Sequence, residues 1–372
     1  MSGKLRIAII HDFLLKLGGA EKVLLEILKI FPSADIYTLF YSENETKSLF
    51  SKYNINCSNL QRDIKFPPRS FKYLLSQLPK AIESFDLSEY DLVISLSNSF
   101  AHGVITPPSC LHICYCMSPT RYLYDWKEEY LEENNLLRGV KGPIVRKLLS
   151  DIRIWDQTAA SRPDHYLAIS KCVQDRIKKY YRLESEILYP PIDIKKFNPN
   201  FGLPEDYYII ISRLSAYKKI DLAIEVFNET GDSLIIIGTG EDEKRLRRVA
   251  KGNIEFLGWQ SDESTREYLR YAKALVFPGE EDFGLTPIET MASGRPVIAF
   301  RKGGVVETVR DGVDGLFFDQ PTKESLLATI QKFDSMMKKF DSHSSRLRSE
   351  EFGLERFKNS LLEKINKYAK TS

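Results

Sequence analysis

The sequence predicts an α/β fold with open parallel sheets. Short apolar runs with almost no polar residues recur along the chain and alternate with amphipathic stretches. The clearest runs cover residues 7–10, 92–95, 208–211, 234–237 and 274–277. Runs of this kind, without polar alternation, are typical of parallel strands that are buried on both faces and have helices between them. The predicted class is therefore α/β.

Length and composition favour two domains of similar size. The chain has 372 residues, of which 43% are hydrophobic and 28% charged, enough apolar residues for two cores. The net charge of +2 gives no general attraction to nucleic acid, so no such partner is expected. No apolar run approaches the roughly 18–20 residues that span a bilayer. Residues 1–4 lead directly into the first strand, which predicts no signal peptide and a cytoplasmic location.

Neither a metal nor a cofactor is expected from the sequence. The five cysteines are odd in number, and Cys114 and Cys116 are one residue too close for the usual metal or redox pair. Buried thiols in a reducing compartment are the favoured interpretation. No Asp-x-Asp sequence occurs, so a divalent metal that bridges a diphosphate has no obvious ligands.

A glycine pair lies directly after the first predicted strand. Residues 11–21 follow that strand and contain Gly18 and Gly19 at the start of a predicted helix. Glycines at such a position let backbone N–H groups approach an anion closely. A tight strand-to-helix turn without any ligand explains the same residues equally well, so this segment alone does not decide between the two.

Two other segments of the first half place polar side chains after predicted strands. His102 is predicted to face a cleft, although a loop histidine with no role is the simpler explanation. Arg121, Tyr122 and Asp125 lie in an aromatic segment after the apolar run 113–117. Since sugars stack on aromatic rings, this segment is a weak candidate for an acceptor site, and ordinary packing explains it as well.

A proline-rich segment divides the chain. Residues 189–204 contain four prolines, which predicts a linker that is not helical, and the strand pattern restarts near Tyr207. The predicted domains are residues 1–189 and 190–350, both Rossmann-like, with open sheets that face each other across a cleft. Residues 351–372 have helical periodicity and are predicted to cross back to the first domain.

Two cations follow the first strand of the second half. Arg213 and Lys218 leave that strand on a loop, where a guanidinium and an ammonium could neutralise a leaving diphosphate. Solvated loop cations are the alternative. After the next strand, Gly238 and Gly240 are similar to the start of a dinucleotide fingerprint. Glu243 stands where the third glycine belongs, however, and acids crowd the turn, so a structural turn is favoured there.

The most informative segment is residues 281–289, which predicts a loop and a short helix between two buried strands. Gly284 and the helix start after it offer N–H donors to a phosphate, and Glu281 and Glu289 can accept hydrogen bonds from sugar hydroxyls. Open α/β sheets bind ligands at the carboxyl ends of their strands. A pair of carboxylates also suggests glycoside hydrolysis. Arg213 and Lys218 favour a leaving phosphate over an attacking water.

With these residues considered together, the chain resembles the GT-B glycosyltransferases of family 4, retaining enzymes that use nucleotide sugars. The resemblance spans nearly the whole chain, and its matching segments are residues 18–21, 256–258, 281–289, 303–309 and 311–315, with Arg213 and Lys218. His11 and Asp12, with residues 278–284, are most similar to the mannosyltransferase branch that builds bacterial O-antigens and exopolysaccharides.

The resemblance implies a role for each matching residue. Arg213 and Lys218 hold the diphosphate, and Glu281 contacts the donor sugar. Glu289 accepts from the ribose hydroxyls, and Gly258 lines the base pocket. The full set of implied donor contacts is Gly18, Gly19, Gly258, Asp282, Phe283, Gly284, Leu285, Thr286 and Glu289.

Two positions depart from the family pattern. Many relatives have a histidine near the donor sugar where this chain has Met117, whose thioether makes no strong hydrogen bond. That contact would have to come from water or from His102, which is therefore included among the candidate catalytic residues with Glu281, Arg213 and Lys218. Many relatives also have glycine where this chain has Lys219.

The predicted function is a metal-independent, retaining sugar transfer in cell-surface polysaccharide synthesis. The favoured donor is GDP-mannose, and the acceptor is a glycan or lipid-linked oligosaccharide, reached through peripheral contact with the inner face of the cytoplasmic membrane. UDP- or dTDP-sugar donors are the nearest alternatives. A GT-B-type sugar-nucleotide epimerase, a phosphorylase of related architecture and a binding subunit without turnover are the others.

Overall fold

The structure is a computed structural model that describes residues 5–46, 48–63, 74–133 and 141–370. Residues 1–4, on which the expectation of no signal peptide rests, lie outside this range. The chain divides into two compact units. The first contains Met1–Tyr189 and Phe357–Ser372, and the second contains Pro190–Arg356.

The first unit is built on one parallel sheet. Among the described residues its strands are β1 (Ile7–Leu14), β2 (Asp35–Tyr41), β3 (Ile55–Cys57), β4 (Leu92–Ser97), β5 (Leu111–Cys116), β6 (His165–Ala168) and β7 (Glu186–Ile187). Their order in the sheet is β3-β2-β1-β4-β5-β6-β7. The helices that connect them are α1 (Gly19–Ile30), α2 (Asn59–Asp63), α3 (Leu78–Glu83), α4 (Lys127–Glu133), α5 (Lys141–Ala159) and α6 (Lys171–Arg176).

The second unit repeats this plan. Its described strands are β8 (Tyr208–Ile211), β9 (Leu234–Ile237), β10 (Ile254–Gly258), β11 (Leu275–Phe277), β12 (Val297–Phe300) and β13 (Gly315–Phe318), in the order β10-β9-β8-β11-β12-β13. Its helices are α7 (Ile220–Thr230), α8 (Glu243–Val249), α9 (Asp262–Tyr271), α10 (Leu285–Ala292), α11 (Val305–Thr308), α12 (Lys323–Met336) and α13 (Ser342–Glu350). The last helix of the chain is α14 (Leu354–Tyr368).

The predicted class, α/β with two open parallel sheets, is confirmed. Every strand pair within both sheets is parallel. The apolar runs are buried on both faces: Ile210, Val276 and Ile298 share one core. Their strand neighbours, which face the other side of the sheet, are fully buried as well: Ile209, Leu275 and Val297. Each fully buried side chain of this size stabilises the fold by about 1.5–3 kcal/mol relative to an exposed one. Among the helices in the described ranges, none is long and apolar enough to cross a membrane.

The first strand is longer than the sequence suggests. β1 continues to Leu14 because its pairing with β2 runs on through Phe13 beside Phe40 and Leu14 beside Tyr41. The expectation that the segment after the first strand begins at His11 is therefore wrong. His11 and Asp12 lie inside β1. These two polar residues interrupt the apolar pattern of the sequence, but the pairing of β1 with β2 continues past them.

A carboxylate on β7 fixes the C-terminal helix within the first unit. Glu186 accepts hydrogen bonds from the ammonium groups of Lys364 (2.6 Å) and Lys367 (2.7 Å) and from the Tyr368 hydroxyl (2.9 Å). The ring of Tyr368 also stacks on His165 at 3.8 Å between centroids. The hydrogen bonds from Lys364 and Lys367 lower the pKa of Glu186 from 4.5 to about 2.

We expect the Glu186→Gln variant to lose stability at neutral pH and to match the wild type in acid. Because the pKa of Glu186 is lower in the folded chain, its contribution is complete above pH 4.5 and disappears as the pH falls toward 2. Urea unfolding of both proteins at pH 7 and at pH 2 or below would measure this. Glu184→Gln is the matched control, since Glu184 is exposed and pairs with Lys178 alone in the described part of the chain. An equal loss at both pH values would contradict the assignment.

Candidate active site

The candidate site lies within the second unit, at the carboxyl ends of β8 and β11. These strands are neighbours in the sheet, with Ile209 beside Leu275. The chain leaves β8 into a single turn at Ala216–Lys218, and it leaves β11 into the loop that leads to α10. Because parallel neighbours end at the same edge, both connections reach the position where open α/β sheets hold ligands.

Lys218 and Glu281 meet at this edge although they are far apart in sequence. The Lys218 ammonium donates a hydrogen bond to the Glu281 carboxylate and also lies 4.8 Å from the centre of the Tyr217 ring. Both side chains are partly enclosed, with exposed fractions of 11% for Lys218 and 28% for Glu281. Burial alone lowers the pKa of Lys218, but the charge of Glu281 and the contact with Tyr217 outweigh it, and the pKa is raised. The lysine is therefore a charged group in a site of limited solvent access.

The backbone around this pair is closely packed. A Cβ atom at Gly279 would lie 3.0 Å from the Lys218 Cα, so the loop after β11 touches the turn after β8 directly. On the other side, the Gly304 amide donates to the Glu281 carbonyl at 2.9 Å. Gly303 has a φ of +81°, and a Cβ there would lie 2.2 Å from the same carbonyl oxygen. Only glycine permits this approach, and the loop that carries Glu281 is fixed from both sides.

The start of α10 offers backbone donors next to this loop. Gly284 has a left-handed conformation with φ +86° and precedes the first helical residue, Leu285. The amides of Leu285 and Thr286 belong to the first turn and have no partner within the helix. Pro287, the third helical residue, has no N–H to leave unsatisfied. Glu289 is half-buried and lies one turn further on, on the helix side that carries Leu285 and Thr286.

Arg213 does not join the Lys218–Glu281 pair. Its guanidinium instead forms an ion pair with Glu241 at 3.1 Å, and both side chains are more than half exposed. The two cations that the sequence places together thus face different carboxylates of the chain. Lys219, next to Lys218, is exposed and has a φ of +53°, a left-handed conformation that favours glycine.

Gly258 ends β10, two strands away from β8. It has a φ of +66°, and its carbonyl accepts a hydrogen bond from the Gly238 amide at 2.8 Å. Nothing lies within 4 Å of the position that a Cβ atom would take there. The position is therefore open toward solvent at the same edge of the sheet as Lys218 and Glu281.

In the first unit, the glycine pair lies where the sequence predicts, at the start of α1. Gly18 precedes the helix and Gly19 is its first residue. The Gly18 amide donates to Glu21 at 2.8 Å, and the other oxygen of that carboxylate lies 3.2 Å from His11 Nε2. Burial alone raises the pKa of Glu21, but the His11 contact and the amide outweigh it, and the pKa is lowered. The Glu21 carboxylate thus accepts the hydrogen bond of the Gly18 amide, the first amide of this turn.

The structure buries His102, which the sequence predicts to face a cleft. The ring is 2% exposed, with Nδ1 3.0 Å from Ser97 and Nε2 3.6 Å from Asp156, and it packs against Trp155 and Tyr181. The cleft-facing placement is therefore wrong, because the aromatic side chains cover the ring. Its catalytic role stays a prediction without direct support from its position. Met117 is buried as well, directly after β5.

The acceptor candidates form a local cluster. Arg121 and Arg176 both approach Asp125, at 3.6 Å and 3.2 Å, and the Arg121 guanidinium lies 4.7 Å from the centre of the Trp126 ring. Tyr122 packs against the core of the first unit. The structure therefore brings Arg121 and Asp125 together and uses Tyr122 at least partly for packing.

Asp12 has a structural role that the sequence does not reveal. Its buried carboxylate accepts four backbone hydrogen bonds of 2.6–3.0 Å, from the amides of Asn98, Ser99, Phe100 and Ala101. It therefore caps the turn that follows β4. An acid within the first strand was the available signal, but sequence alone could not identify amides almost ninety positions away.

No group of three or more metal-ligating side chains is found in the described ranges. At its sheet edge the second unit places the enclosed Lys218 ammonium, the acids Glu281 and Glu289, and the first amides of α10. This arrangement suits an anionic ligand that carries hydroxyl groups.

Comparisons with known proteins agree with this chemistry. Residues 192–344 match the family model for glycosyl transferases group 1. The chain is 29% identical to the uncharacterized glycosyltransferase MJ1178 of Methanocaldococcus jannaschii, over 48% of this chain and 52% of that protein. It is 25% identical to the O-antigen chain mannosyltransferase RfbU of Salmonella typhimurium, over 50% and 57% respectively. For the alpha-1,3/1,6-mannosyltransferase ALG2 of Dictyostelium discoideum the identity is 24%, over 86% and 88%.

The chain therefore spans about half the length of the first two relatives and most of the third. Among solved structures, sucrose-phosphate synthase from Thermosynechococcus elongatus superposes with a TM-score of 0.75 at 15% identity, over 99% of this chain and 100% of that one. Anabaena HepE, solved in complex with UDP, superposes with a TM-score of 0.70 at 16% identity, over 98% and 100%. Similarity at this identity shows the fold alone, and the predicted GT-B fold is confirmed.

Proposed function

Residues 192–344 of this chain are a domain of the glycosyl transferases group 1 family, and on that premise we propose that the chain transfers a sugar from a nucleotide diphosphate sugar to a glycan hydroxyl. The observation that carries the proposal is the enclosed Lys218–Glu281 pair, because Glu281 lies three residues before Gly284, the residue that precedes α10. Lys218 provides a fixed positive charge and Glu281 provides an acceptor for hydroxyl groups. The first amides of α10 lie at the same edge of the sheet.

In the proposed mechanism, Lys218 and the first amides of α10 bind the donor diphosphate, and Arg213 contributes a second cation. As the bond between sugar and phosphate lengthens, negative charge grows on the leaving phosphate. A preorganised ammonium in a site of limited solvent access stabilises that charge more than it stabilises the bound donor, which lowers the barrier. The departing phosphate oxygen can then accept the proton of the acceptor hydroxyl, so no protein nucleophile is required.

The two acids of the site orient the donor. Glu281 accepts from hydroxyls of the sugar, and Glu289, one turn into α10, accepts from the ribose. Gly258 lines the base pocket at the end of β10. The order β10-β9-β8-β11 supports this assignment, because three strand spacings of about 4.8 Å separate β10 from β11. The two strand ends are therefore about 14 Å apart, so that one extended ligand can contact both.

GDP-mannose is the proposed donor. Its support is the names of two relatives, a mannosyltransferase from Salmonella typhimurium and one from Dictyostelium discoideum. UDP-sugars are the second candidate, since HepE was solved with UDP. A thermal-shift screen of GDP-, UDP- and dTDP-sugars, followed by transfer of a radiolabelled sugar from the best binder, tests the proposal. If none of the three classes of nucleotide sugar raises the melting temperature of the protein, the proposed function is wrong.

The transfer is proposed to retain the anomeric configuration of the sugar. An NMR spectrum of the first-formed product decides this, since retention gives the donor's own anomer and inversion gives the opposite one.

The proposed acceptor is a lipid-linked glycan of cell-surface polysaccharide synthesis at the inner face of the cytoplasmic membrane, bound by the first unit. Within it, Arg121, Tyr122 and Asp125 are the proposed acceptor contacts, and Gly18 and Gly19 are proposed to approach the donor phosphate.

We expect EDTA to leave the sugar transfer unchanged within about twofold. Cations and amides of the chain are proposed to neutralise the diphosphate, a task that a bound divalent ion performs in other phosphate sites. Initial rates should be measured after dialysis against EDTA, with and without added Mg²⁺. A rate that collapses with EDTA and returns with Mg²⁺ would contradict the metal-independent mechanism.

Three other functions make distinct predictions. A sugar-nucleotide epimerase would convert the nucleotide sugar without any acceptor, and a phosphorylase would depend on inorganic phosphate. A binding subunit would hold the donor tightly and transfer to nothing. Product analysis with and without acceptor and phosphate separates all three from the transferase.

A further inference from the structure

A pair of glycines after β9 holds an acidic turn against the loop that carries Arg213. Gly238 has a φ of +132°, and a Cβ there would lie 1.9 Å from the Ser212 carbonyl oxygen. A Cβ at Gly240 would lie 2.0 Å from the carbonyl oxygen of Leu214. A residue with a Cβ atom therefore does not fit at Gly238 or at Gly240. The turn packs directly against the backbone of the two residues that flank Arg213, Ser212 and Leu214.

Backbone hydrogen bonds fix this contact. The Leu214 amide donates to the Thr239 carbonyl at 3.0 Å, and the Asp242 amide donates to the Leu214 carbonyl at 3.0 Å. Glu241 lies between the two bonded residues of the turn, and Arg213 lies beside Leu214. The backbone of the two segments therefore holds Arg213 and Glu241 near each other, and their exposed side chains form an ion pair there.

The three consecutive acids of this turn have different partners. Asp242 accepts two hydrogen bonds of 2.6 Å from Arg245. Glu243 accepts from Arg247 at 2.9 Å. Glu241 alone of the three is paired with Arg213.

We propose that Glu241 regulates donor affinity by occupying Arg213 until a nucleoside diphosphate displaces it. This inference rests on the proposed function, since it takes Arg213 as a ligand of the diphosphate. Glu241 would act as an internal anion that competes with the donor for one guanidinium. Donor binding at this position is then an exchange of a carboxylate for a phosphate, and its cost is the breaking of the Arg213–Glu241 pair.

The expected size of the effect is modest because both side chains are exposed. Pairs of this kind are weak and sensitive to salt, so releasing Arg213 should change affinity by about two- to fivefold at low ionic strength. The removal of a negative charge beside an incoming diphosphate acts in the same direction.

The test is calorimetric titration of UDP, GDP and dTDP into the full chain at low salt. Glu241→Gln should bind the preferred nucleoside diphosphate about two- to fivefold more tightly than the wild type. Glu243→Gln is the matched control, because it removes the same charge two residues away without freeing Arg213, and it should bind like the wild type. In an Arg213→Ala background the gain from Glu241→Gln should be clearly smaller, because only the reduced repulsion of the diphosphate remains.

Unchanged or weaker binding by Glu241→Gln would overturn the inference. So would a gain of equal size in the Arg213→Ala background, since Glu241 would then act by general repulsion. Lys218→Ala separates this failure from failure of the proposed function. If Lys218→Ala weakens nucleotide binding while Glu241→Gln changes nothing, only the role of Glu241 is wrong. If the wild type binds none of the three nucleotides, the donor site and this inference both fail.

Discussion

Replacing Lys218 by alanine will lower turnover at saturating donor by about two to three orders of magnitude, the loss typical when one preorganised charge-stabilising group is removed from an active site. The size of the effect follows from the enclosure of the ammonium beside Glu281, where solvent cannot replace the missing charge. The variant should also bind nucleoside diphosphate more weakly, but by a smaller factor, because the lysine stabilises the leaving phosphate more than the ground state.

The measurement is a steady-state rate with saturating donor and acceptor, together with calorimetric titration of the nucleotide. Lys219→Ala is the matched control, since the neighbouring lysine is exposed, and it should keep activity within twofold. Lys218→Arg retains the charge and should recover part of the rate. Activity close to the wild type in Lys218→Ala would show that the diphosphate binds elsewhere. Full activity in Glu281→Gln would exclude Glu281 as a sugar contact.

The second large effect is on stability. Asp12→Ala should lower the free energy of unfolding by about 3–5 kcal/mol, the cost typical of leaving buried polar groups without a charged partner. Its carboxylate serves four backbone amides, and Phe100 and Ala101 among their residues are completely buried. Asp12→Asn keeps one acceptor oxygen and should lose less.

Urea unfolding of the variants, followed by far-UV circular dichroism, measures this effect. Asp86→Ala is the comparison, because Asp86 is an exposed acid that accepts one local amide hydrogen bond, from Ser88 at 3.0 Å, and its loss should change stability by less than about 0.5 kcal/mol. Equal destabilisation by the two substitutions would show that the turn after β4 does not depend on Asp12.

The sequence was sufficient for the central strands of both sheets and for the helix of the donor site. The apolar runs predict β1, β4, β8, β9 and β11, whereas short strands such as β3 and β7 have no such run. The helix after Gly284 is predicted by the glycine and proline at its start, which are local signals. The meeting of Lys218 with the loop that carries Glu281 could also be anticipated. It depends only on the rule that parallel neighbours end at the same edge of a sheet.

What the sequence could not give was the partner of each charged group. Arg213 was placed beside Lys218, yet the structure pairs it with Glu241, because Gly238 and Gly240 bring the turn after β9 onto its backbone. His102 was predicted to face a cleft, yet Trp155 and Tyr181 cover its ring. The partner of Arg213 and the burial of His102 both depend on residues from distant parts of the chain, and local sequence patterns carry no information about such contacts.

We propose that the donor diphosphate binds between the turn after β8 and the start of α10. Hydrogen exchange followed by mass spectrometry, with and without saturating nucleoside diphosphate, tests this most directly, since the first amides of α10 have no partner within the helix and exchange quickly when free. The claim predicts slower exchange in peptides that cover residues 212–219 and 279–289. Unchanged exchange in both peptides, while the nucleotide is bound, would contradict it.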